Sequence, residues 1–256
     1  MSQENMTTSA GRPLDCHCIR DCGRVCPPEY VEPVMFNGRP ITGTGVWIYP
    51  WQECPDCALK RDAAESIARA KVQAEARKAD LLAMLGGPKA EGFTLETFKS
   101  TPGSLSALQE ARTFDPKASN LYLWGPCGTG KTHLAGGIAA KWHYEGARVE
   151  FWKPPALMRS LRVKDPNDQE ERIERLARAA VFVLDDLGVG MATEFYNQVL
   201  YEIIDKRDMN RRNGMVITSN LSLAALSEKL QDDRLASRIA GMCKVVKIDG
   251  KDWRVG

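Results

Sequence analysis

No run of apolar residues in this chain approaches the length a helix needs to cross a bilayer, about 20 residues, so no spanning helix is expected. The N-terminal Met-Ser-Gln-Glu-Asn lacks the basic-then-apolar pattern of a secretion signal. A cytoplasmic protein with no membrane partner is therefore expected. An excess of one charge is missing too. The 35 Lys and Arg stand against 33 Asp and Glu, net +2 over 256 residues. That argues against a histone-like nucleic-acid binder and leaves local basic faces open. No internal repeat recurs, so the chain is not a repeat array.

Proline and glycine are absent from Ala58 to Leu85, where Ala, Lys, Arg and Glu dominate. That stretch is expected to be one long helix. Its apolar stripe of Ile67, Val72, Leu81 and Leu82 is weak, which suits a solvated connector. Gly86-Gly87-Pro88 stops it and marks a domain boundary.

Cysteine is scarce except at one end: six of the 8 precede residue 58. In a reducing compartment, clustered cysteines suit metal ligation better than disulfides. Cys16-x-Cys18-x3-Cys22-x3-Cys26 and Cys54-Pro-Asp-Cys57 read as two metal knuckles. The second has C-x2-C spacing suited to tetrahedral zinc. In the first, Cys18 and Cys22 make the better pair, while Cys16, His17 and Cys26 compete. Four cysteines also serve iron–sulfur clusters, and free structural thiols are the plain alternative. Between the knuckles, Tyr30–Phe36 and Thr44–Tyr49 read as short strands around an Asn37-Gly38 turn. The expected organisation is a disordered tail over 1–15, a metal-binding module over 16–57, a linker helix over 58–87 and a nucleotide-binding domain over 88–256.

Beyond Gly92 and a helix around Ser104–Thr113, strands alternate with helices. The strands fall at about 120–125, 148–152, 180–185, 214–219 and 243–248 of the sequence. A helix near 193–212 carries Tyr196, Val199, Leu200, Ile203 and Ile204 on one face. Five strands joined by crossover helices give an α/β fold with a parallel sheet covered on both sides.

The first of these strands opens Leu121-Tyr-Leu-Trp-Gly-Pro-Cys-Gly-Thr-Gly-Lys-Thr132. Strand, then Gly-x-x-x-x-Gly-Lys-Thr, then helix is the setting of a nucleoside-triphosphate P-loop. Gly125, Gly128 and Gly130 let the backbone curl so that N–H groups face phosphate oxygens. The helix beginning near Gly130 adds its positive end. Lys131 is expected on the β- and γ-phosphates and Thr132 on magnesium. Pro126, Cys127, Thr129 and His133 complete the stretch around ATP. Cys127 and His133 also read as a variable loop position and a helix residue, and Cys127 as an oxidisable thiol.

Ala180-Val-Phe-Val-Leu-Asp-Asp186 is an apolar strand ending in two acids. In a P-loop protein Asp185 is the magnesium-side carboxylate and Asp186 the candidate base for the attacking water. Many such ATPases have Glu at the second place, and the shorter Asp suits slow hydrolysis. Val216-Ile-Thr-Ser-Asn220 ends the fourth strand. Its tip is expected between the two motifs, with Asn220 orienting the water, while Ser219 and Asn220 also suit a helix N-cap. Arg234 and Arg238 lie one helical turn apart. Arg238 is the candidate arginine finger offered to a neighbouring subunit. Arg234 is a second phosphate contact or an ion-pair partner of Asp232 or Asp233. A solvated basic face is the alternative for both.

Together these motifs resemble the DnaC/DnaI-type AAA+ ATPases, a family that includes the IstB-like transposition helpers. The resemblance adds Ile203-Ile-Asp-Lys-Arg207 and the closing Gly250-Lys-Asp-Trp-Arg254 to the motifs above, and it covers about residues 88–256. It implies an AAA+ P-loop NTPase without a helical lid, and the chain ends soon after the fifth strand. The loaders of this family dock on a replicative hexameric DnaB-type helicase, associate through their ATP sites and grip single-stranded DNA. The transposition helpers act with a transposase on duplex DNA. A small zinc module before the ATPase resembles the DnaI-type loader, although the first knuckle is irregular. Lys153, Arg159, Arg162 and Lys164 with Trp152 form a basic strip suited either to a single strand or to plain solvation. The expected function is thus an ATP-dependent helicase loader with ATP, Mg2+ and Zn2+. The alternatives are a transposase-assisting ATPase and a zinc-containing ATP-binding adaptor with little hydrolysis.

Overall fold

In the computed structural model, residues 55–189, 193–209, 213–250 and 252 are described, with the backbone of six short strands between residues 16 and 48. Two compact units divide the chain, Met1–Glu75 and Ala76–Gly256. The first carries three antiparallel pairs. β1 (Cys16–His17) pairs with β2 (Val25–Cys26), with Cys16 opposite Cys26. β3 (Glu29–Val31) pairs with β6 (Val46–Ile48), and β4 (Met35–Phe36) with β5 (Arg39–Pro40) is nested between them. Met35 and Phe36 therefore belong to a second, inner pair rather than to one strand running from Tyr30. The tail over 1–15, Cys18, Cys22, Cys54 and the turn at 37–38 lie outside the described residues.

Helix α1 (Pro55–Leu85) begins three residues before the Pro/Gly-free stretch and has Cys57 in its first turn. Ile67 and Val72 are 59% and 71% exposed, as a solvated helix requires. Its end is different: Leu81 and Leu85 are buried, with Leu82 and Met84 packed beside them. Spacing of i and i+4 puts the two leucines on one face. This corrects the connector reading for the last turns, which belong to the core of the second unit. His143 Nε2 meets Arg77 O at 3.1 Å and Lys78 pairs with Glu91 at 2.7 Å, fixing the same turns.

The second unit alternates helix and strand in the expected order. Its elements are α2 (Leu105–Arg112), β7 (Asn120–Trp124), α3 (Lys131–Tyr144), β8 (Val149–Trp152), α4 (Pro154–Leu161), α5 (Pro166–Ala177), β9 (Val181–Leu187), α6 (Glu194–Met209), β10 (Gly214–Ser219), α7 (Leu223–Leu230), α8 (Asp233–Met242) and β11 (Lys244–Lys247). The five strands pair in parallel in the order β11-β7-β10-β9-β8. β10 therefore lies between the strands that carry the two nucleotide motifs.

Both faces of the sheet are covered, so its central strands run apolar up to the polar residues near their C-terminal ends instead of alternating with polar residues. Leu121, Leu123, Val181, Val183 and Val216 face the core built by α2, α3 and the end of α1. Tyr122, Phe182, Leu184, Met215 and Ile217 face the other, built by α4–α8. Arg207 sits inside this second layer, 1% exposed. Its guanidinium donates to the carbonyls of Leu176, Ala177 and Ala179 and to that of Gly214 at 2.6 Å. Burial pulls its pKa down to about 9, so at neutral pH it stays charged and keeps those bonds. Among the described residues no helix is long and apolar enough to cross a membrane.

Candidate functional site

The phosphate loop leaves β7 beside β10, with Gly125 N donating to Ser219 O at 3.2 Å. Gly128 (φ 73°) and Gly130 (φ 91°) take left-handed values that side chains disfavour. Gly130 is the N-cap of α3, so the helix begins at Lys131 with its free N–H groups toward the loop. Thr129 Oγ1 donates to Pro126 O at 2.9 Å and closes the turn. Lys131 is buried. Its Nζ donates to Gly125 O at 2.8 Å and Pro126 O at 2.6 Å.

The acidic half is set by an irregularity in β9. Ile217 pairs with Leu184 and Ser219 with Leu187, so Asp185 and Asp186 together oppose the single residue Thr218. This extra residue is a β-bulge, a device that re-aims a side chain beside a site. Asp186 takes φ 70° there, a left-handed value that Asp tolerates better than most residues. Thr218 links the two acids: its hydroxyl donates to Asp185 Oδ1 at 2.7 Å and accepts from Asp186 N at 2.8 Å. Thr132 Oγ1 donates to the same Oδ1 at 2.9 Å.

Asp185 is 1% exposed, and its Oδ2 is buried with no hydrogen-bond partner among the described residues. Burial raises its pKa above the ordinary carboxylate value. The Thr218 and Thr132 hydroxyls and the Lys153 charge oppose that shift, and the Asp186 charge adds to it. A partnerless buried carboxylate oxygen beside a threonine hydroxyl is a hard-oxygen donor set, and it fits magnesium.

Asn220 follows β10 directly, and its Nδ2 donates to Asp186 Oδ1 at 3.4 Å. The N-cap of α7 is Ser222, which accepts from Ala225 N at 3.3 Å, so neither Ser219 nor Asn220 caps that helix. A cavity of about 270 Å³ brings together Phe93, Cys127, Gly128, Gly130, Lys131, Thr132, His133, Asp186 and Asn220. His133 is committed to the segment before α2. Its Nε2 meets Thr94 O at 2.9 Å and Thr97 Oγ1 at 3.1 Å, and Phe93 stacks on its ring at 5.0 Å. Cys127 is exposed.

The two arginines differ. Arg234 pairs with the N-cap Asp232 at 3.2 Å and is 79% exposed. It borders a groove of about 960 Å³ along α6 and α7. Arg238 is held by α6: it donates to Asp208 at 2.8 Å, to Tyr201 Oη at 3.2 Å and to Asp205. None of these partners belongs to the phosphate loop. In the basic strip, Lys153, Arg159, Arg162 and Lys164 are exposed. Arg162 lies 5.8 Å over the Phe195 ring, and Trp152 Nε1 donates to Glu150. Among the described residues no group of three or more metal-ligating side chains assembles; the side chains of Cys16, Cys18, Cys22, Cys26 and Cys54 lie outside the described residues.

Sequence reasoning missed Thr218, Phe93 and the bearing of Lys153 on Asp185. The signal for Thr218 was its place at the head of the polar tip Thr218-Ser219-Asn220, directly after the apolar run Met215-Val216-Ile217.

The sequence model of a family described as IstB-like ATP-binding protein matches residues 89–256. The chain is 25% identical over 205 residues to the replicative helicase loader DnaC of Escherichia coli, covering 76% of this chain and 82% of DnaC. It is 28% identical over 147 residues to an ATP-binding protein of insertion sequence IS21 from Pseudomonas aeruginosa, covering 56% of this chain. The chain spans a little over half the length of such insertion-sequence relatives, 55% in that case. The crystal structure of the DnaC helicase loader superposes with a TM-score of 0.56 at 25% identity, over 64% of this chain and 100% of the other. The replication initiator DnaA bound to AMPPCP and single-stranded DNA gives 0.57 at 20% identity, over 62% of this chain and 50% of DnaA, a likeness of fold alone.

Proposed function

The chain belongs to the IstB-like ATP-binding protein family, and from that premise we propose that it is a cytoplasmic helicase loader. On this reading it docks on a hexameric DnaB-type replicative helicase, associates with further copies through its ATP sites and helps place the ring on single-stranded DNA. The observation that carries the reading is the extent of the match to DnaC, 76% of this chain and 82% of that one. The match to the IS21 relative spans 56% and 55%.

The roles of the residues follow from their chemistry. The loop amides and Lys131 take the triphosphate, Lys131 exchanging the Gly125 and Pro126 carbonyls for phosphate oxygens. Thr132 and Asp185 would hold magnesium, whose positive charge offsets that of the phosphates when it is bound. Asp186 accepts the proton of the attacking water, and Asn220, already within reach of Asp186, orients that water. The short Asp186 side chain on its bulge suits a slow, partner-stimulated ATPase that works as a switch. Arg238 is offered to the next subunit, with Asp205, Asp208 and Tyr201 presetting its fork. The strip from Lys153 to Lys164 follows the single strand. Zinc held by the N-terminal cysteines shapes the docking module.

The family description and the IS21 relatives favour a second reading, a transposase-assisting ATPase. The short side chain of Asp186, where many such ATPases have Glu, favours a third, a zinc-containing adaptor that binds ATP and hardly hydrolyses it. Loading of a replicative helicase onto single-stranded DNA circles, with and without ATP, tests the first. Single-turnover hydrolysis in the same reactions tests the third. A transposition helper loads no helicase, and an adaptor leaves ATP intact.

A further inference from the structure

The closing motif from Gly250 takes no part in the site above, yet its described residues lie on the phosphate loop. Ile248 N donates to Trp124 O at 2.7 Å, carrying the chain past β11 along the end of β7. Asp249 N then donates to Gly103 O at 3.0 Å, and its carboxylate pairs with Lys247 at 3.0 Å. A Cβ built at Gly125 would stand 2.0 Å from Ile248 O. One built at Gly128 would stand 1.7 Å from Asp252 Oδ1, 2.1 Å from its Cγ and 2.8 Å from its Cα. No side-chain carbon makes such contacts, so only a residue without one lets the segment lie this close. Ile248 O therefore lies against the loop at Gly125, and the Asp252 carboxylate against its middle at Gly128.

A carboxylate and a polyphosphate share their sign and their preference for clustered N–H groups at a helix start. Both cannot stand against Gly128 without repelling each other. We propose that Ile248, Asp249 and Asp252 strap the phosphate loop, and that the Asp252 carboxylate is an internal competitor of the nucleotide that bound phosphate displaces. The proposal rests on the nucleotide-binding reading of the loop. It gives ATP a second output besides subunit association, because occupancy of the site sets the position of the chain after β11.

The test uses the full chain and its Asp252→Asn variant, which keeps the shape and removes the charge. Affinity for Mg-AMPPNP is measured by calorimetry at low and high salt, and hydrogen exchange is followed at the peptide containing Asp249. The variant is expected to bind about tenfold more tightly at low salt, a gain that shrinks as salt screens the repulsion. AMPPNP is expected to speed exchange at Asp249 in the wild type. Equal or weaker binding by the variant, or slower exchange with AMPPNP, overturns the strap while nucleotide binding stands. Failure of both proteins to bind AMPPNP overturns the nucleotide reading and the strap with it.

Discussion

Replacing Asp185 by Asn separates the cost of this carboxylate to the fold from its use to the site. Its Oδ1 accepts two hydroxyl bonds, which an amide oxygen keeps, while Oδ2 is buried without a partner among the described residues. Leaving a buried polar group unpaired costs about 1–3 kcal/mol, more when it is charged. A neutral amide recovers part of that, about 1 kcal/mol, which for a unit of this size is about 2–4 °C in Tm. The pH dependence has a definite sign. The folded pKa of Asp185 is raised by burial. The folded state therefore holds its proton more tightly than the unfolded chain and loses stability as pH rises from about 3.9 through the raised value. Above the raised value the wild type carries the whole cost, and Asp185→Asn does not. Melting in EDTA at pH 7 should find the variant more stable, with the gap closing on acidification. Saturating Mg-ATP should then reverse the order. Ligand at a hundred times its Kd adds about 2.7 kcal/mol to the wild type, and the variant has lost a magnesium-side oxygen. An Asn variant that melts lower than wild type in EDTA at pH 7 would refute the account of Asp185.

Arg207→Ala removes the donors to four buried carbonyls and should cost more than about 4 kcal/mol, measured by urea unfolding, with loss of soluble protein the extreme outcome. A mild loss would mean that Arg207 does not hold α5 against β10. Arg238→Ala should lower hydrolysis in the assembled protein by about a hundredfold or more while sparing ATP binding by the single subunit. Unchanged hydrolysis and assembly would rule out the finger. Metal analysis of the purified full chain should find zinc. Iron with sulfide would change the module's identity, and the absence of any metal would remove it.

The parallel sheet was legible because both of its faces are covered and its strands read as apolar runs, Val181-Phe-Val-Leu among them. The phosphate loop was legible because its chemistry fixes residue types at fixed spacing. The order of the strands placed β10 and Asn220 between the two motifs. What escaped depends on pairing across the sheet. The bulge at Asp185-Asp186 arises from register with Thr218, and no local pattern encodes it. The burial of Leu81 and Leu85 escaped for a related reason: two leucines ending a polar helix say nothing of the surface that receives them. Arg238 was legible as one of a pair, but its clamp by Asp205 and Asp208 comes from another helix thirty or more residues away.

The central claim, a helicase loader, is met most directly by capturing the tagged full chain with the replicative helicase of its own cell, in ATP and in its absence. The account predicts a stable complex that delivers the helicase to single-stranded DNA, with delivery lost in Lys131→Ala. No helicase retained under either condition, with a transposase retained instead, would contradict it.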